Sequence, residues 1–355
     1  MIIELMKLNK NYLIILFFSL CLCVSAVQNS FAQEKGKDAR WESAGKQGIG
    51  TALSEKSKVW FTLQGGSLTE VFYPTADNAN VEWLQFVVVN PKTKKVETER
   101  DDAIHQIKTL RNDSLSFQQI NKSKTGEWTI IKTYTTDVER DSILIDVHFQ
   151  TKNKKLNLYV YYNPSLDNSG MGDTAAYTVV GHFGSDKAYP YALIAKNKNV
   201  SSALVMNGVF IGLQEATNGF FGVNDGLIQL KKDGKLTNNE SAKDGNVVQT
   251  AKAPIEKGNQ NFSVVLSFGK NQDEALTNAN RSSEKGFVKA QAEYDKLWAE
   301  YVKTLPKVEP KYQAQFNYAA MVLRASEDKT YRGGNVASLS NPWIPVGDAN
   351  GPYVG

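Results

Sequence analysis

The run Lys58-Val59-Trp60-Phe61-Thr62-Leu63, then Gln64-Gly65-Gly66, then Leu68-Thr69-Glu70-Val71-Phe72-Tyr73 decides the fold class. Two β-prone segments flank a Gly-Gly pair, and Pro74 ends the second, which predicts a hairpin on a tight glycine turn. Working outward, β-prone segments recur at 83–89, 115–120, 127–136, 143–150, 155–162, 191–196, 202–213, 227–231, 246–252 and 262–268. Several alternate apolar and polar residues, as in Leu144-Ile145-Asp146-Val147-His148-Phe149. Turn clusters separate them at Lys152-Asn153-Lys154, from Asp167 to Gly172 and from Asn238 to Gly245. Many short strands without helices between them predict a mainly β fold, a large antiparallel sandwich.

The pattern changes after Gly269. Phe287, Tyr294, Leu297, Trp298, Tyr301 and Leu305 recur mostly at three-, four- and seven-residue steps, so helical structure is expected within 272–304. Pro306 and Pro310 close that segment. A second helix fits 310–327, with Phe316, Ala319, Ala320 and Leu323 on one face. An apolar helical stripe needs a partner surface, yet only loop-like sequence comes after it. The chain is therefore expected to be the front part of a longer protein.

The 355 residues carry a formal charge of +4 and are 41% hydrophobic and 22% charged, which excludes a disordered or collagen-like chain. The small basic excess, spread along the chain, argues against nucleic-acid binding. Residues 1–32 read as a secretory signal peptide: Lys7 and Lys10 precede an apolar stretch from Tyr12 to Val27, and Ser30-Phe31-Ala32 places small residues for cleavage before Gln33. A secreted or periplasmic protein is expected, with no membrane association after cleavage. Both cysteines, Cys21 and Cys23, fall within this signal, so a mature chain starting at Gln33 has no disulfide, thiolate metal site or cysteine nucleophile.

Familiar catalytic motifs are missing: there is no G-x-S-x-G, no phosphate-binding G-x-x-x-x-G-K-[ST] and no H-E-x-x-H. His105, His148 and His182 are far apart, and His148 in its alternating strand is read as structural. The oxygen-rich stretch Asn163 to Asp173 could ligate Ca²⁺ but lacks EF-hand spacing, and structural turns explain it better. No cofactor is expected. Glu70, Asp77, Glu82, Asp173 and Asp225 lie near strand ends and turns and are read as surface carboxylates; none forms an identifiable glycosidase pair. Near the C-terminus, Asn341-Pro342-Trp343 and Asp348-Ala349-Asn350-Gly351-Pro352-Tyr353 suit sugar contacts, because an indole stacks on a pyranose and Asp or Asn binds its hydroxyls. The other reading is a Trp packed beneath a long loop.

Several segments together carry a resemblance. They are Trp41 to Ala52, Ser57 to Leu63, Leu68 to Pro74, Asn218-Gly219-Phe220-Phe221-Gly222-Val223-Asn224-Asp225-Gly226 and Val336-Ala337-Ser338-Leu339-Ser340-Asn341-Pro342-Trp343. In this order they resemble the N-terminal part of bacterial glucoamylases and glucodextranases of glycoside hydrolase family fifteen. The resemblance implies a β-supersandwich over 33–269, a helical linker over 270–308 and, over 309–355, the first helix of an incomplete (α/α)6 barrel. It implies a parent enzyme that inverts the anomeric centre, using two glutamates on barrel loops, and acts on α-glucans or malto-oligosaccharides. Those glutamates and a Trp-x-Arg-Asp motif would lie beyond Gly355, so no catalytic residue is placed on this chain. Trp343 and Asp348 are the candidate substrate contacts. A stand-alone, non-catalytic sandwich that binds carbohydrate or a partner protein is the rival reading, and an enzyme acting on trehalose or another short glucoside a third.

Overall fold

A computed structural model describes residues 35–340, apart from 44, 182–187, 208–214 and 257. Residues 1–34, with both cysteines and the stretch expected to be a signal, and His182, Trp343 and Asp348 lie outside the described residues. From Lys35 onward the chain is one compact unit.

The first sheet has eight strands: β1 Gly48–Gly50, β2 Trp60–Gln64, β3 Ser67–Phe72, β4 Trp83–Asn90, β5 Lys95–Thr98, β10 Asn157–Asn163, β14 Ala216–Phe220 and β16 Val247–Lys252. Its order is β1-β2-β3-β4-β10-β16-β14, with β5 beside β4. The second sheet has nine strands: β6 Ala103–Thr109, β7 Phe117–Ser123, β8 Trp128–Thr136, β9 Ser142–Thr151, β11 Asp173–Gly181, β12 Ala188–Asn197, β13 Val200–Asn207, β15 Ser241–Gly245 and β17 Gln260–Gly269. They run β15-β11-β12-β13-β17-β9-β8-β7-β6, and every pairing in both sheets is antiparallel. The two sheets enclose the main core. Leu84, Phe86, Val88, Leu158 and Val160 of the first meet Ile130, Tyr134, Ile145, Val147 and Val264 of the second. Phe86 and Phe262 pack edge to face with centroids 5.6 Å apart.

The β2–β3 turn is sunk into the opposite sheet. Gly65 and Gly66 have φ of 56° and 77°, as a two-residue hairpin turn with the strand twist requires. A Cβ on Gly66 would lie 2.3 Å from His105 Nδ1. The Gly66 carbonyl accepts from Asn121 Nδ2 and Lys132 Nζ, each at 2.7 Å. Lys132 is wholly buried on β8 and pairs at 2.8 Å with Glu99, also wholly buried. Glu99 opens the single-turn helix α1, Glu99–Asp102, where the chain crosses from the first sheet to the second. Its carboxylate also accepts from the Phe86 amide and Asn121 Nδ2, so every group in this dry cluster has a partner. Burial lowers the Lys132 pKa, and the Glu99 charge offsets part of that shift.

Two local strand-and-turn expectations fail. The β-prone 227–231 belongs to a helix, α2, Gly226–Asp233. Asp225 caps its N-terminus through bonds from Leu227 N and Ile228 N, and Gly234 in the left-handed region closes it. Leu230 of this helix then covers Val87, Tyr159, Tyr161 and Val248 on the outer face of the first sheet. Conversely, the cluster before Gly245 holds strand β15, whose Asp244 adopts φ 60° beside a register shift.

Among the described residues no strand follows Gly269. The helices α3 Gln272–Lys285, α4 Phe287–Lys303 and α5 Pro310–Ala325 come next. Asn271 caps α3, accepting from Glu274 N at 2.9 Å. Ala275 and Ala279 of α3 sit on Leu144, Ala203, Val205 and Val265, the outer face of the second sheet. Gly286, with φ 77°, breaks the expected 272–304 periodicity into two helices. From α4, Tyr294 Oη donates to Leu115 O at 3.1 Å and Trp298 Nε1 to Thr51 O at 3.1 Å. The apolar face expected on α5 is not the one packed here. Met321 and Ala325 are buried, whereas Ala319 is exposed and Leu323 is 72% exposed.

Removing one member of a buried ion pair strands the other charge. Lys132→Met or Glu99→Gln should each cost about 3–5 kcal/mol in urea unfolding, and the double variant clearly less than the sum of the two. Additive losses would show that the pair does not act as a unit.

Candidate functional site

The candidate sugar contacts Trp343 and Asp348 lie outside the described residues, but the chain leading to them is firmly held. After α5 the chain folds back on itself. Asp328 N donates to Gly334 O at 2.8 Å and Val336 N to Ser326 O at 3.0 Å, and Glu327 and Asn335 form an isolated bridge. Val336 and Leu339 then bury against Trp41, Trp60, Phe72, Ala76 and Ala79, on the side of the β2–β3 hairpin away from the main core. Ser340, three residues before Trp343, is fully buried.

Trp60 is the centre of this socket. Alternation along β2 sends Phe61 and Leu63 into the main core and Trp60 outward. It is wholly buried, and its Nε1 donates to Ala325 O at 2.9 Å, catching a free carbonyl at the end of α5. Lys329 Nζ lies 4.8 Å from the Trp60 ring centroid and donates to Thr51 Oγ1 and to Ser57 O. This enclosure lowers the Lys329 pKa to about 7. Burial pushes the nearby Asp141 carboxyl up to about 6, against the bond it accepts from Lys58 N. Asp328 Oδ2 accepts from Ala76 N, while its Oδ1 accepts from Thr330 N and Tyr331 N, each at 2.7 Å. Beside Lys329 opens a cavity of about 250 Å³ whose lining includes Thr51, Glu55, Arg324, Glu327 and Arg332. Within this lining Glu327 pairs with Arg324 and Arg332, and Glu55 with Arg332.

Trp60 stands in the hairpin that decides the fold class, but nothing local in the sequence assigns a task to it, to Asp328 or to Lys329. An Asp placed three residues after a helix end is a turn-forming signal. Its second bond, to Ala76, spans 252 positions and has no local signature.

Of the five carboxylates considered from sequence, only Asp77 is the exposed residue expected, and the other four are buried. Asp77 accepts from Thr75 Oγ1 at 2.6 Å. Glu70 is wholly buried, pairs with Lys46 and accepts from Glu42 N; burial raises its pKa despite the Lys46 charge. Asp225 caps α2. Asp173 is buried, accepting from Leu166 N at 3.0 Å and Asn197 Nδ2 at 2.8 Å, and burial drives its pKa far upward. Glu82 is buried with Oε2 accepting from Asn163 Nδ2 at 2.9 Å, and burial raises its pKa to about 8.

Several side-chain oxygens of the Asn163–Asp173 stretch accept from protein donors. Asp167 Oδ1 accepts from Asn78 Nδ2 and Asn168 Oδ1 from Ala79 N, tying the loop to residues 78–79. Ser165, Asp167 and Asn168 take left-handed φ angles of 47°, 58° and 57°, which suits tight turns. Among the described residues no group of three or more His, Cys, Asp or Glu has the geometry of a metal site. Of the histidines, His105 lies against Asn121 and the Arg100 carbonyl, and His148 pairs with Asp146 at 2.7 Å.

A two-sheet antiparallel sandwich flanked by three C-terminal helices, with a structured exit through Trp60, defines a sandwich that continues into helical structure. The chain belongs to the family "Glucodextranase, domain N", whose profile matches residues 32–303. It is 33% identical over 319 residues to a glucoamylase from Clostridium sp. (strain G0005), a match covering 89% of this chain and 43% of that protein. A crystal structure of a bacterial glucoamylase complexed with acarbose superposes with a TM-score of 0.81 at 32% identity, over 91% of this chain and 47% of that one. The chain thus spans less than half the length of the relatives it matches.

Glu82 supplies a pH test. Its folded pKa is raised, so its contribution to stability is complete below about pH 4.5, declines as pH rises and is lost above about pH 8. Glu82→Gln should match the wild type in thermal stability near pH 4.5 and exceed it at pH 9 by on the order of 3–5 kcal/mol. An equal gap at both pH values would contradict a protonated Glu82.

Proposed function

We propose that this chain supplies the N-terminal portion of a secreted, inverting, exo-acting α-glucosidase of glucoamylase type, which releases glucose from starch-like or dextran-like glucans. The observation that carries this reading is the match to glucoamylases across the sandwich and the helices together, with 33% identity over 319 residues and a TM-score of 0.81. A second support is α5. Its side away from the sandwich carries exposed Tyr312, Ala319 and Leu323, an apolar stripe that further helices would cover. In this proposal 33–269 form the sandwich, 270–308 link it, and 309–355 begin an (α/α)6 barrel. The two catalytic carboxylates lie downstream, about 6.5–9.5 Å apart, leaving room for the attacking water. The acarbose bound in the related glucoamylase makes malto-oligosaccharides the substrate class to test first, with Trp343 and Asp348 as contacts.

Residues 1–32 serve as the export signal, and no helix among the described residues is long and apolar enough to cross a membrane. The rival reading, a free-standing sugar-binding sandwich, needs aromatic side chains displayed on a sheet. The described large hydrophobics that are exposed include two aromatics, Tyr312 and Tyr331, on α5 and the turn after it.

Mature 33–355 alone should release no glucose from soluble starch above a buffer control. The polypeptide extended through the downstream coding region should release β-glucose, the inverted anomer, visible by proton NMR within minutes of mixing. Release of α-glucose, or of none, would sink the reading.

Leu323 gives a second check. Leu323→Glu should leave the melting temperature of 33–355 unchanged within about 1 °C, because the side chain is exposed there, and lower that of the extended protein by about 5 °C or more. Equal effects in both would show that nothing covers the stripe.

A further inference from the structure

We propose that residues 35–43 are a proton-operated strap, fastened across the first sheet while Glu82 is neutral and loosened when Glu82 ionises. The inference stands on the described residues of this chain and does not depend on the enzyme reading above.

The strap is tied to several strands. Lys37 N donates to Phe221 O at 2.9 Å, Asn246 N to Lys35 O at 2.8 Å and Asn246 Nδ2 to Lys37 O at 2.9 Å. Ala39 and Trp41 are buried, with Arg40 exposed between them. Two amides of the strap meet carboxyl groups instead of a neighbouring strand's carbonyls. Glu42 N donates to Glu70 Oε1 at 2.5 Å, and the Arg40 amide approaches the Glu82 carboxyl. Glu70 and Glu82 are both wholly buried.

The charges in this cluster do not balance. From the strap Glu82 faces the Arg40 amide and Glu42, from β3 Glu70, from α1 Arg100, and from β10 Asn163 and Tyr161. Lys46 pairs with Glu70 and Arg100 with Glu42, so a charge on Glu82 would make a third carboxylate for two cations already engaged. Glu82 Oε2 accepts from Asn163 Nδ2, while Oε1 is buried with no hydrogen-bond partner among the described residues. Burial without a counter-ion thus favours the neutral acid in the closed form, with a pKa of about 8 against an ordinary 4.5 once the strap lifts and water reaches it. A raised pKa holds the closed form in full below the lower value. Opening then becomes about tenfold easier per pH unit up to the higher value, and levels off above it.

The chain itself, without any extension, serves for the test. Its hydrogen exchange is followed against pH, with each rate divided by the intrinsic rate at that pH. Protection of the Arg40 and Glu42 amides should fall about tenfold per pH unit between roughly pH 5 and 7.5 and stay level between roughly pH 8.5 and 9.5. Glu82→Gln, which cannot ionise, should hold that protection constant within about threefold over the whole range. Asp113→Asn, which alters an exposed ion pair elsewhere, is the control and should keep the wild-type slope. The β8 and β9 amides should stay about tenfold or more better protected than the strap throughout, because the strap opens while the sandwich stays folded. A level wild-type profile overturns the proposal, and that result requires no variant to fold. A wild-type slope retained in Glu82→Gln assigns the proton to another group and overturns it as well. Equal protection of the strap and of β8 and β9 would mean that Glu82 meets water only on global unfolding, which removes the strap as a separate moving part.

Discussion

The buried Lys132–Glu99 pair and the Gly66 carbonyl it shares hold the two sheets in register. Two charges in a dry core cost several kcal/mol each in lost hydration, and their attraction offsets this only when the remaining donors and acceptors are filled. Here they are filled from both sheets. Phe86 and Gly66 belong to the first sheet and its hairpin, whereas Asn121 and Lys132 belong to the second. A hydrophobic substitute could match the packing but not the directionality. Any one-residue slip of β8 would turn Lys132 to solvent and leave Glu99 stranded. The cluster therefore acts against alternative registers as much as for stability, and it requires glycine at position 66, where a side chain would collide with His105 and Asn121.

How much of this is legible in the chain depends on the reach of the forces involved. The β2–β3 hairpin is legible because its determinants are adjacent: two β-prone runs and a Gly-Gly pair. The long strands β8, β9 and β17 are legible from their composition, and the helices after Gly269 from their periodicity. Strand β6 escapes a sequence reading because it is an edge strand with mostly solvated side chains, so it carries little apolar alternation. Helix α2 reads as a strand because Leu227-Ile228-Gln229-Leu230 is β-prone in isolation, and only the Asp225 cap and the Gly234 stop decide otherwise. Lys132 looks like an error in the inward stripe of β8 until its partner, 33 residues away in the chain, is known. The carboxylates mislead for the same reason. Glu70, Glu82, Asp173 and Asp225 look solvated in the sequence, and each proves to be a buried acceptor whose donor lies on another segment or across a turn.

The candidate site is legible only in part. The resemblance leads to the C-terminal segment, but the residues that fix its approach come from the sandwich, at distances of up to 278 positions. No local pattern marks Trp60 as a socket, since an outward-facing aromatic on a strand normally signals either an exposed patch or a covering layer. The cover is supplied by Trp41 from before the first strand and by Val336 and Leu339 from the far end of the chain.

One hairpin carries both constraints. Gly66 at its tip accepts the Lys132 and Asn121 bonds inside the sandwich, and Trp60, six residues back, receives the exit segment outside it. Strand β2 runs from Trp60 to Gln64, about 14 Å at roughly 3.4 Å per residue, and the turn that carries Gly66 follows it directly. Paired on one side to β1 and on the other to β3, β2 has little freedom to bend between them. The position of the turn in the core thereby fixes where Trp60 stands, and Trp60 fixes where α5 ends. A substitution at Gly66 would for this reason act at a distance: by lifting the turn out of its cluster it would move the socket, even though no atom of residue 66 approaches the exit segment. The sandwich and the helices after it are in this respect one mechanical unit, and the polar cluster at its centre is the reference point for both.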